Sequence, residues 1–339
     1  MPHTPIRPSG TFPHKAGEGR RSVLLGAAAA LIAGRASAQN PYPDRTIKLV
    51  VGYPPGGPND LLARILAPKL AELLKQTVVI DNRGGSNGEI AAAMVAKAPA
   101  DGYTILFSSN GPVTVAPALG RKLPYDPATE LSAIMPIGAS PMLLVVRPDL
   151  PAKDVKELIA LAKAAPGKLN GASAGTGGMT HLGLELFKSV AGVDIVHVPY
   201  KGGGPAMTDL MAGQVDIYFG GVPTALPHVR SGKLRGLAVT SLARLAGAAE
   251  IPTLHESGLS GFDAGIWYGV FGPPNLPAPV LSTLRATFAT VMADADVKRY
   301  FVDNAVDALP TTPERFAQFA ADDFVKWQAL AKRANISAD

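Results

Sequence analysis

Cysteine is absent from the 339-residue sequence, and histidine is scarce, with six residues. Without cysteine there is no disulfide bond, no thiol nucleophile, no thiolate metal site and no lipid anchor on a cysteine after a signal peptide. None of the histidines forms an H-x-x-x-H or H-E-x-x-H pair, the spacings that place two imidazoles on one metal ion. We therefore expect neither a metal nor another cofactor.

Nucleotide-binding motifs are also missing from the turn where they would be expected. Pro55–Pro58 follows the first apolar run, but no Gly-Lys-Ser/Thr comes after it, so this turn is not a Walker loop. No G-x-G-x-x-G motif joins the run to the next helix. Because no catalytic cluster is visible, the sequence predicts a binding protein, with a periplasmic enzyme on the same fold as an alternative.

The net charge of +5 does not indicate a nucleic-acid partner. Residues 1–38 hold five basic residues and one acidic residue, so the rest of the chain has 27 basic and 26 acidic residues, a net charge of +1. These remaining basic residues are dispersed and are not interleaved with aromatic side chains. We expect no nucleic acid to bind.

The first 38 residues predict an export signal. Arg20 and Arg21 precede the apolar run Val23–Gly34, and Ala36-Ser37-Ala38 forms a cleavage site. The run has about a dozen residues, fewer than the roughly 20 that span a bilayer. We expect a twin-arginine-like signal that is cleaved near Ala38 and releases the chain into the periplasm, although the general secretory route stays open.

Strand-like and helix-like segments alternate along the rest of the chain, most regularly from Ile47 to Leu106. This alternation predicts an α/β fold with mostly parallel sheets. Two crossings between domains are predicted near Arg147–Pro151 and Gly258–Gly265. We therefore expect a first domain at residues 41–141 and 262–339 and a second at residues 142–261, with a hinge between them.

Two glycine-rich turns that precede predicted helices are candidate binding loops. In Tyr53–Asp60, a glycine pair lets a ligand approach the backbone, while Asn59 or Asp60 can cap the helix. A capped turn that binds nothing is the alternative interpretation. The second turn, Ser173–His181, offers hydroxyl groups and another helix N-terminus. If the turns belong to different domains, two positive helix ends face each other across a cleft, which suits an anion with a carboxylate at each end.

Several segments, in their order along the chain, resemble the Bug-type solute receptors, the periplasmic substrate-binding proteins of tripartite tricarboxylate transporters. They span about Tyr42 to Trp327 and include YPDRTIKLVVGYPPGGPNDLLAR, VVIDNRGGSNG, ADGYTILFSS, PGKLNGASAGTGGMTHL, VDIVHVPYKGGGPAMTDLMAGQVDIYF and WYGVFGPPNLPAPV. The resemblance implies a two-domain periplasmic-binding-protein fold of type II, the Venus flytrap. It also implies a monomer that captures a small carboxylate between its domains and delivers it to membrane permease subunits.

Members of this family hold their ligands largely through backbone amides, hydroxyl groups and ordered waters. By position, the resemblance implicates Tyr53, Gly56, Gly57, Asn59, Asp60, Ser109, Asn110, Ser173, Gly175, Thr176, His181 and Tyr200. One loop departs from the family, because Gly84-Gly85-Ser86-Asn87-Gly88 stands where Pro-Gly-Ala-Gly-Gly is usual. A sensor of the bound acid is an alternative to a transport receptor, and the sequence leaves the acid itself open.

Overall fold

The computed structural model describes residues 3–4 and 42–337, so the predicted export signal lies outside the described residues apart from His3 and Thr4. Strands β1 to β9 are Ile47–Val51, Val78–Asn82, Thr104–Ser109, Ser132–Val146, Asn170–Ser173, Val196–Pro199, Ile217–Gly221, Arg235–Val239 and Gly265–Gly272. The helices of eight residues or more, α1 to α9, are Pro58–Leu74, Glu89–Ala96, Val155–Ala164, Met179–Ala191, Gly203–Met211, Val222–Arg230, Ala278–Ala293, Ala295–Asp303 and Phe316–Ala334.

Two groups of three parallel strands position the loops that follow β1, β2 and β3 and those that follow β5, β6 and β7. In the first group β1 lies between β2 and β3, and in the second β5 lies between β6 and β7. Leu49, Val50 and Val51 in β1 are fully buried, as expected for an apolar run in a parallel sheet that is covered on both faces. Because the carboxyl ends of parallel strands share one edge, the three loops that leave each group lie side by side.

The long strand β4 joins the two groups into one mixed sheet. Its first part, Ser132–Pro141, pairs antiparallel with β9, and β9 pairs with β3. Its last part, Met142–Val146, pairs antiparallel with β7 and β8. The α/β class is confirmed, and the structure adds these antiparallel pairs to the parallel strands that the sequence predicts.

The first strand–helix turn follows from its local sequence. Pro58 is the first residue of α1, where its missing N–H is no loss and its fixed φ suits the helix. Leu62, Leu66 and Leu70 lie one turn apart and are buried, so this face of α1 packs on the core. The helix ends after Leu74, where Lys75 is left-handed and its N–H bonds to the carbonyl of Ala71.

Sequence patterns did not predict β5, α6 and α8.

Among the described residues, no helix is long and apolar enough to cross a membrane.

Candidate ligand-binding site

A cavity of about 30 Å³ lies where the loops of the two strand groups meet. Its lining comes from both groups and from β9: Tyr53, Gly57, Pro58, Asn59, Asn87, Ser109, Ala174, Met179, Thr180, Gly203, Tyr218, Gly221 and Ile266. The loop after β1 touches the loop after β6, since a methyl group added to Gly202 would lie 2.6 Å from Pro54 Cδ. The cavity is therefore closed on this side by contact between the two loops.

Four helices begin at this cavity, and each has a glycine as its N-cap. These N-caps are Gly57 for α1, Gly178 for α4, Gly202 for α5 and Gly221 for α6, and none provides a side-chain hydrogen bond to the first turn. The N–H groups of a helical first turn have no partner within the helix. Because no capping side chain occupies them, these N–H groups and the positive ends of the helix dipoles are available to an anion.

Two helices elsewhere in the described chain show the contrast, whereas α2, α7 and α9 also lack a side-chain cap. Asp154 caps α3 through the N–H of Glu157, and Asp294 caps α8 through the N–H groups of Asp296 and Val297. Neither aspartate lines the cavity. Since aspartate is among the best N-caps, glycine at the four cavity helices removes a stabilising side chain where a ligand has to approach.

None of the described residues that line the cavity is charged, but several present polar atoms without a protein partner. Asn59 is 5% exposed and Asn87 is 3% exposed, and their Oδ1 and Nδ2 atoms, respectively, are buried without a hydrogen bond. The hydroxyl of Thr180 accepts a hydrogen bond from the N–H of Ala174 at 2.8 Å, which leaves its own proton to donate. Unpaired buried polar atoms are costly, so these atoms indicate a polar ligand.

A buried tyrosine fixes the first-group side of the cavity. The Tyr53 hydroxyl donates to the Asn87 carbonyl at 3.0 Å and lies 3.1 Å from Asn87 Oδ1 and 2.9 Å from Ser109 Oγ. Burial raises the pKa of Tyr53 well above its usual range, against the lowering effect of the Ser109 hydrogen bond. Tyr53 therefore stays a neutral phenol that ties together the loops after β1, β2 and β3.

Asp60 stabilises the loop after β1 through hydrogen bonds. Its carboxylate accepts hydrogen bonds from the N–H of Gly56 at 3.0 Å, from Arg64 Nε at 2.8 Å and from Asn82 Nδ2 at 3.0 Å. Burial alone would raise the pKa of Asp60, but these hydrogen bonds outweigh it and the pKa is lowered. Asp60 is 1% exposed and does not line the cavity, so its described contacts shape the loop.

Four of the residues predicted from the sequence line the cavity, namely Tyr53, Gly57, Asn59 and Ser109. The other eight lie next to it or farther away: Gly56, Asp60, Asn110, Ser173, Gly175, Thr176, His181 and Tyr200. Gly56 is exposed on the outer side of the loop, with a left-handed φ of 84°. Asn110 bonds to the carbonyl of Gly265 at 3.1 Å, and Tyr200 donates to Asp209 at 2.7 Å.

Buried Ser173 and His181 form a cluster with the half-buried His197, next to the loop that leads to α4. Ser173 Oγ lies 2.6 Å from His197 Nε2, and the two imidazole rings stack with centroids 4.1 Å apart. Sequence reasoning missed the serine–histidine pair, although Gly171–Gly175 fits the G-x-S-x-G pattern. Ser173 is fully buried and its Oγ also accepts the N–H of Gly175 at 3.2 Å. The pair therefore supports the loop.

Sequence reasoning also missed the cavity residues of the second group that lie outside its candidate loops, such as Gly203, Tyr218 and Gly221. The usable signal was a glycine directly before each helix, which is visible in the Gly202–Gly204 run and in the pair Gly220–Gly221. Tyr218 carried no such signal, because an apolar strand usually buries its tyrosines in the core.

Comparison with known proteins identifies the group to which this architecture belongs. The pattern of the "Tripartite tricarboxylate transporter family receptor" matches residues 62–336. The chain belongs to this receptor family. The receptor is similar to the solved structure of the periplasmic binding protein BugD, with 34% identity and a TM-score of 0.84 over 87% of this chain and 99% of that one.

Two further solved structures that are similar over most of the chain contain a bound acid. Rpa4515 from R. palustris with adipate has 34% identity and a TM-score of 0.83, covering 87% of the receptor and 99% of that chain. MatC from Rhodopseudomonas palustris with malate has 31% identity and a TM-score of 0.82, covering 85% and 99%. The receptor is thus a periplasmic solute-binding protein of this family, and the prediction of a receptor instead of an enzyme is confirmed.

Proposed function

We propose that this receptor binds a small carboxylate in the cavity and holds its oxygens with the first-turn N–H groups of α1, α4, α5 and α6. The observation that carries the proposal is the convergence of four glycine-capped helix N-termini on a cavity without charged side chains. The adipate and malate in the two similar structures support the same ligand class.

The free energy expected from these contacts is large enough for micromolar binding without an arginine side chain. A carboxylate near a helix N-terminus gains about 0.3–1 kcal/mol, and up to about 2 kcal/mol when partly buried. Charge-assisted hydrogen bonds contribute roughly 1.5–3 kcal/mol each. Several of these, after the costs of association, reach the roughly 8 kcal/mol of a micromolar complex.

The small cavity supports a hinge-closing mechanism. A volume of about 30 Å³ holds only about two water molecules, so an acid has to arrive while the loops are apart. We place the hinge at the two crossings between residues 41–141 plus 262–339 and residues 142–261, near the point where β4 changes partners. The receptor would then close on the acid as a monomer in the periplasm and deliver it to a tripartite membrane permease.

The test is calorimetry and thermal shift on ligand-stripped receptor with a panel of mono-, di- and tricarboxylic acids. We expect at least one acid to bind with micromolar affinity, and the diamide of the same acid to bind at least about 10-fold more weakly because it lacks the charge. Equal binding of acid and amide, or no binding of any acid, would contradict the proposal.

Export and delivery have tests of their own. The mass of the receptor recovered from the periplasm should correspond to a chain that begins at Gln39, and an intact N-terminus there would contradict cleavage near Ala38. Deletion of the receptor gene should abolish uptake of the bound acid. Uptake that persists while the response to the acid is lost would favour a sensor.

A further inference from the structure

Asn87 is the residue of the cavity that departs from the expected loop. It lies between β2 and α2 in a left-handed conformation, with φ of 50° and ψ of 33°. Asparagine is among the few residues besides glycine that adopt this conformation readily. The backbone therefore accepts a glycine here as well, and what asparagine adds is its side chain.

That side chain fills a slot made by glycines of two other loops. A methyl group at Gly111 would lie 2.6 Å from Asn87 Nδ2, and one at Gly175 would lie 3.2 Å from Asn87 Cβ. A methyl group at Gly178, the N-cap of α4, would collide with Asn87 Oδ1. The Asn87 amide thus stands beside the α4 N-terminus, where a capping side chain would otherwise be.

The contacts fix this amide in the cavity and leave its NH2 group without a partner. The Tyr53 hydroxyl lies within hydrogen-bond distance of both Asn87 oxygens. Asn87 Nδ2 is buried and has no partner among the described residues. A ligand oxygen is the group that such a donor lacks.

We propose that Asn87 determines ligand specificity in this receptor. Its side chain occupies space that a longer acid would need, and its Nδ2 donates a hydrogen bond to an oxygen of a short acid. The inference rests on the proposed binding of a carboxylate in this cavity. With Asn87 the receptor should prefer short acids, whereas a glycine at position 87 would leave room for longer ones.

The experiment compares Asn87→Gly, Asn87→Asp and a matched control by calorimetry with malonate, succinate, glutarate and adipate. The control is Asn275→Gly, because Asn275 is also left-handed, with φ of 61°, but is exposed and outside the cavity. Circular dichroism and urea unfolding establish that each variant is folded.

We expect the wild-type receptor and Asn275→Gly to prefer the same short acid. Asn87→Gly should bind that acid about 10-fold more weakly, because the donor is lost, and the longer acids about 10-fold more tightly, because space is gained. Asn87→Asp keeps the size but replaces the donor with a negative charge, so every acid should bind at least about 10-fold more weakly.

Two negative outcomes are distinguishable. If the wild-type receptor binds acids and Asn87→Gly keeps the same order of chain lengths, only this inference is overturned. If neither wild-type nor variant receptor binds any acid, the proposed function is overturned together with it.

Discussion

The Tyr53 hydroxyl lies 2.9 Å from Ser109 Oγ, and this contact joins the loop after β1 to the last residue of β3. The same hydroxyl donates to the carbonyl of Asn87 in the loop after β2. One buried phenol therefore connects the loops after β1 and β2 with the end of β3 on the first-group side of the cavity.

Replacing Tyr53 with phenylalanine should lower both stability and affinity. The change leaves the buried Asn87 carbonyl without its donor and the Ser109 hydroxyl without its hydrogen-bond partner, which should cost about 1–3 kcal/mol of unfolding free energy. Tyr125→Phe is the matched control, since the buried Tyr125 hydroxyl donates to the carbonyl of Pro112 at 2.7 Å outside the cavity lining. Urea unfolding should show a loss for both variants, whereas calorimetry should show weaker ligand binding only for Tyr53→Phe. Equal affinity losses would mean that the effect is general.

Asp60→Asn tests whether this carboxylate acts through the loop. The substitution removes the charge that Arg64 Nε and the N–H of Gly56 share at 2.8 and 3.0 Å, so we expect a loss of about 1–3 kcal/mol in unfolding free energy. Affinity should fall because the loop is held less firmly. An Arg64→Gln variant, which cuts the same ion pair from its exposed side, should reproduce the direction of both changes with smaller size. If Asp60→Asn instead bound acids more tightly at unchanged stability, the carboxylate would be a ligand-facing group.

The sequence predicts those strands and helices whose local residue preferences favour the same conformation as the packing in the folded protein. The apolar run of β1, Pro58 at the start of α1 and the spacing of Leu62, Leu66 and Leu70 all indicate the structure that forms. Strand β5 was missed because Asn170–Ser173 has little intrinsic preference for a strand, and its pairing with β6 and β7 decides its conformation.

Helix α6 was missed for a related reason. It contains Pro223 in its first turn and Pro227 in its interior, and an interior proline argues against a helix. At the site, Gly57 and Asn59 were predictable because the chemistry lies in one continuous turn. Tyr218 and Asn87 were not, since they reach the cavity only when strands distant in the sequence come together.

The stacked histidines predict a loss of stability in acid. Burial, together with the nearby His197 and Lys188, lowers the pKa of His181 to about 3, and burial and Lys188 lower the pKa of His197 to about 4. Both values lie below the ordinary value of about 6.5, so the unfolded chain binds protons first as the pH falls. Their contribution to stability is therefore complete above about pH 6.5 and is lost as the pH falls towards 4 and then 3.

Urea unfolding between pH 7 and pH 4 measures this loss. Each histidine can contribute at most about 1.4 kcal/mol per pH unit. His181→Gln should make the unfolding free energy depend less steeply on pH. Glu185 is the nearest acidic group on α4, with its Oε1 3.9 Å from His181 Nε2. His255→Gln serves as the control, because His255 is exposed. An unchanged slope in His181→Gln would remove His181 from the explanation.

Adding a cap to α1 should separate stability from binding. Gly57 has φ of −85° and ψ of 168°, which any residue can adopt, and a Cβ there would meet only atoms at 3.8 Å or beyond. Gly57→Asp therefore supplies a good N-cap, which should stabilise the fold by a few tenths of a kcal/mol. Its carboxylate would occupy the N–H groups and add a negative charge where the ligand acid is proposed to bind.

We expect Gly57→Asp to unfold at the same or higher urea concentration and to bind acids at least about 100-fold more weakly, by blocking the α1 N-terminus. Gly57→Ser provides a neutral cap of smaller size, so its affinity should lie between those of Gly57→Asp and the wild-type receptor. Asp154→Gly gives the reverse control at α3, where loss of a cap should cost at most a few tenths of a kcal/mol and leave affinity unchanged. Wild-type affinity in Gly57→Asp would show that the first turn of α1 does not hold the acid, because a carboxylate fixed on those N–H groups cannot share them with a second one.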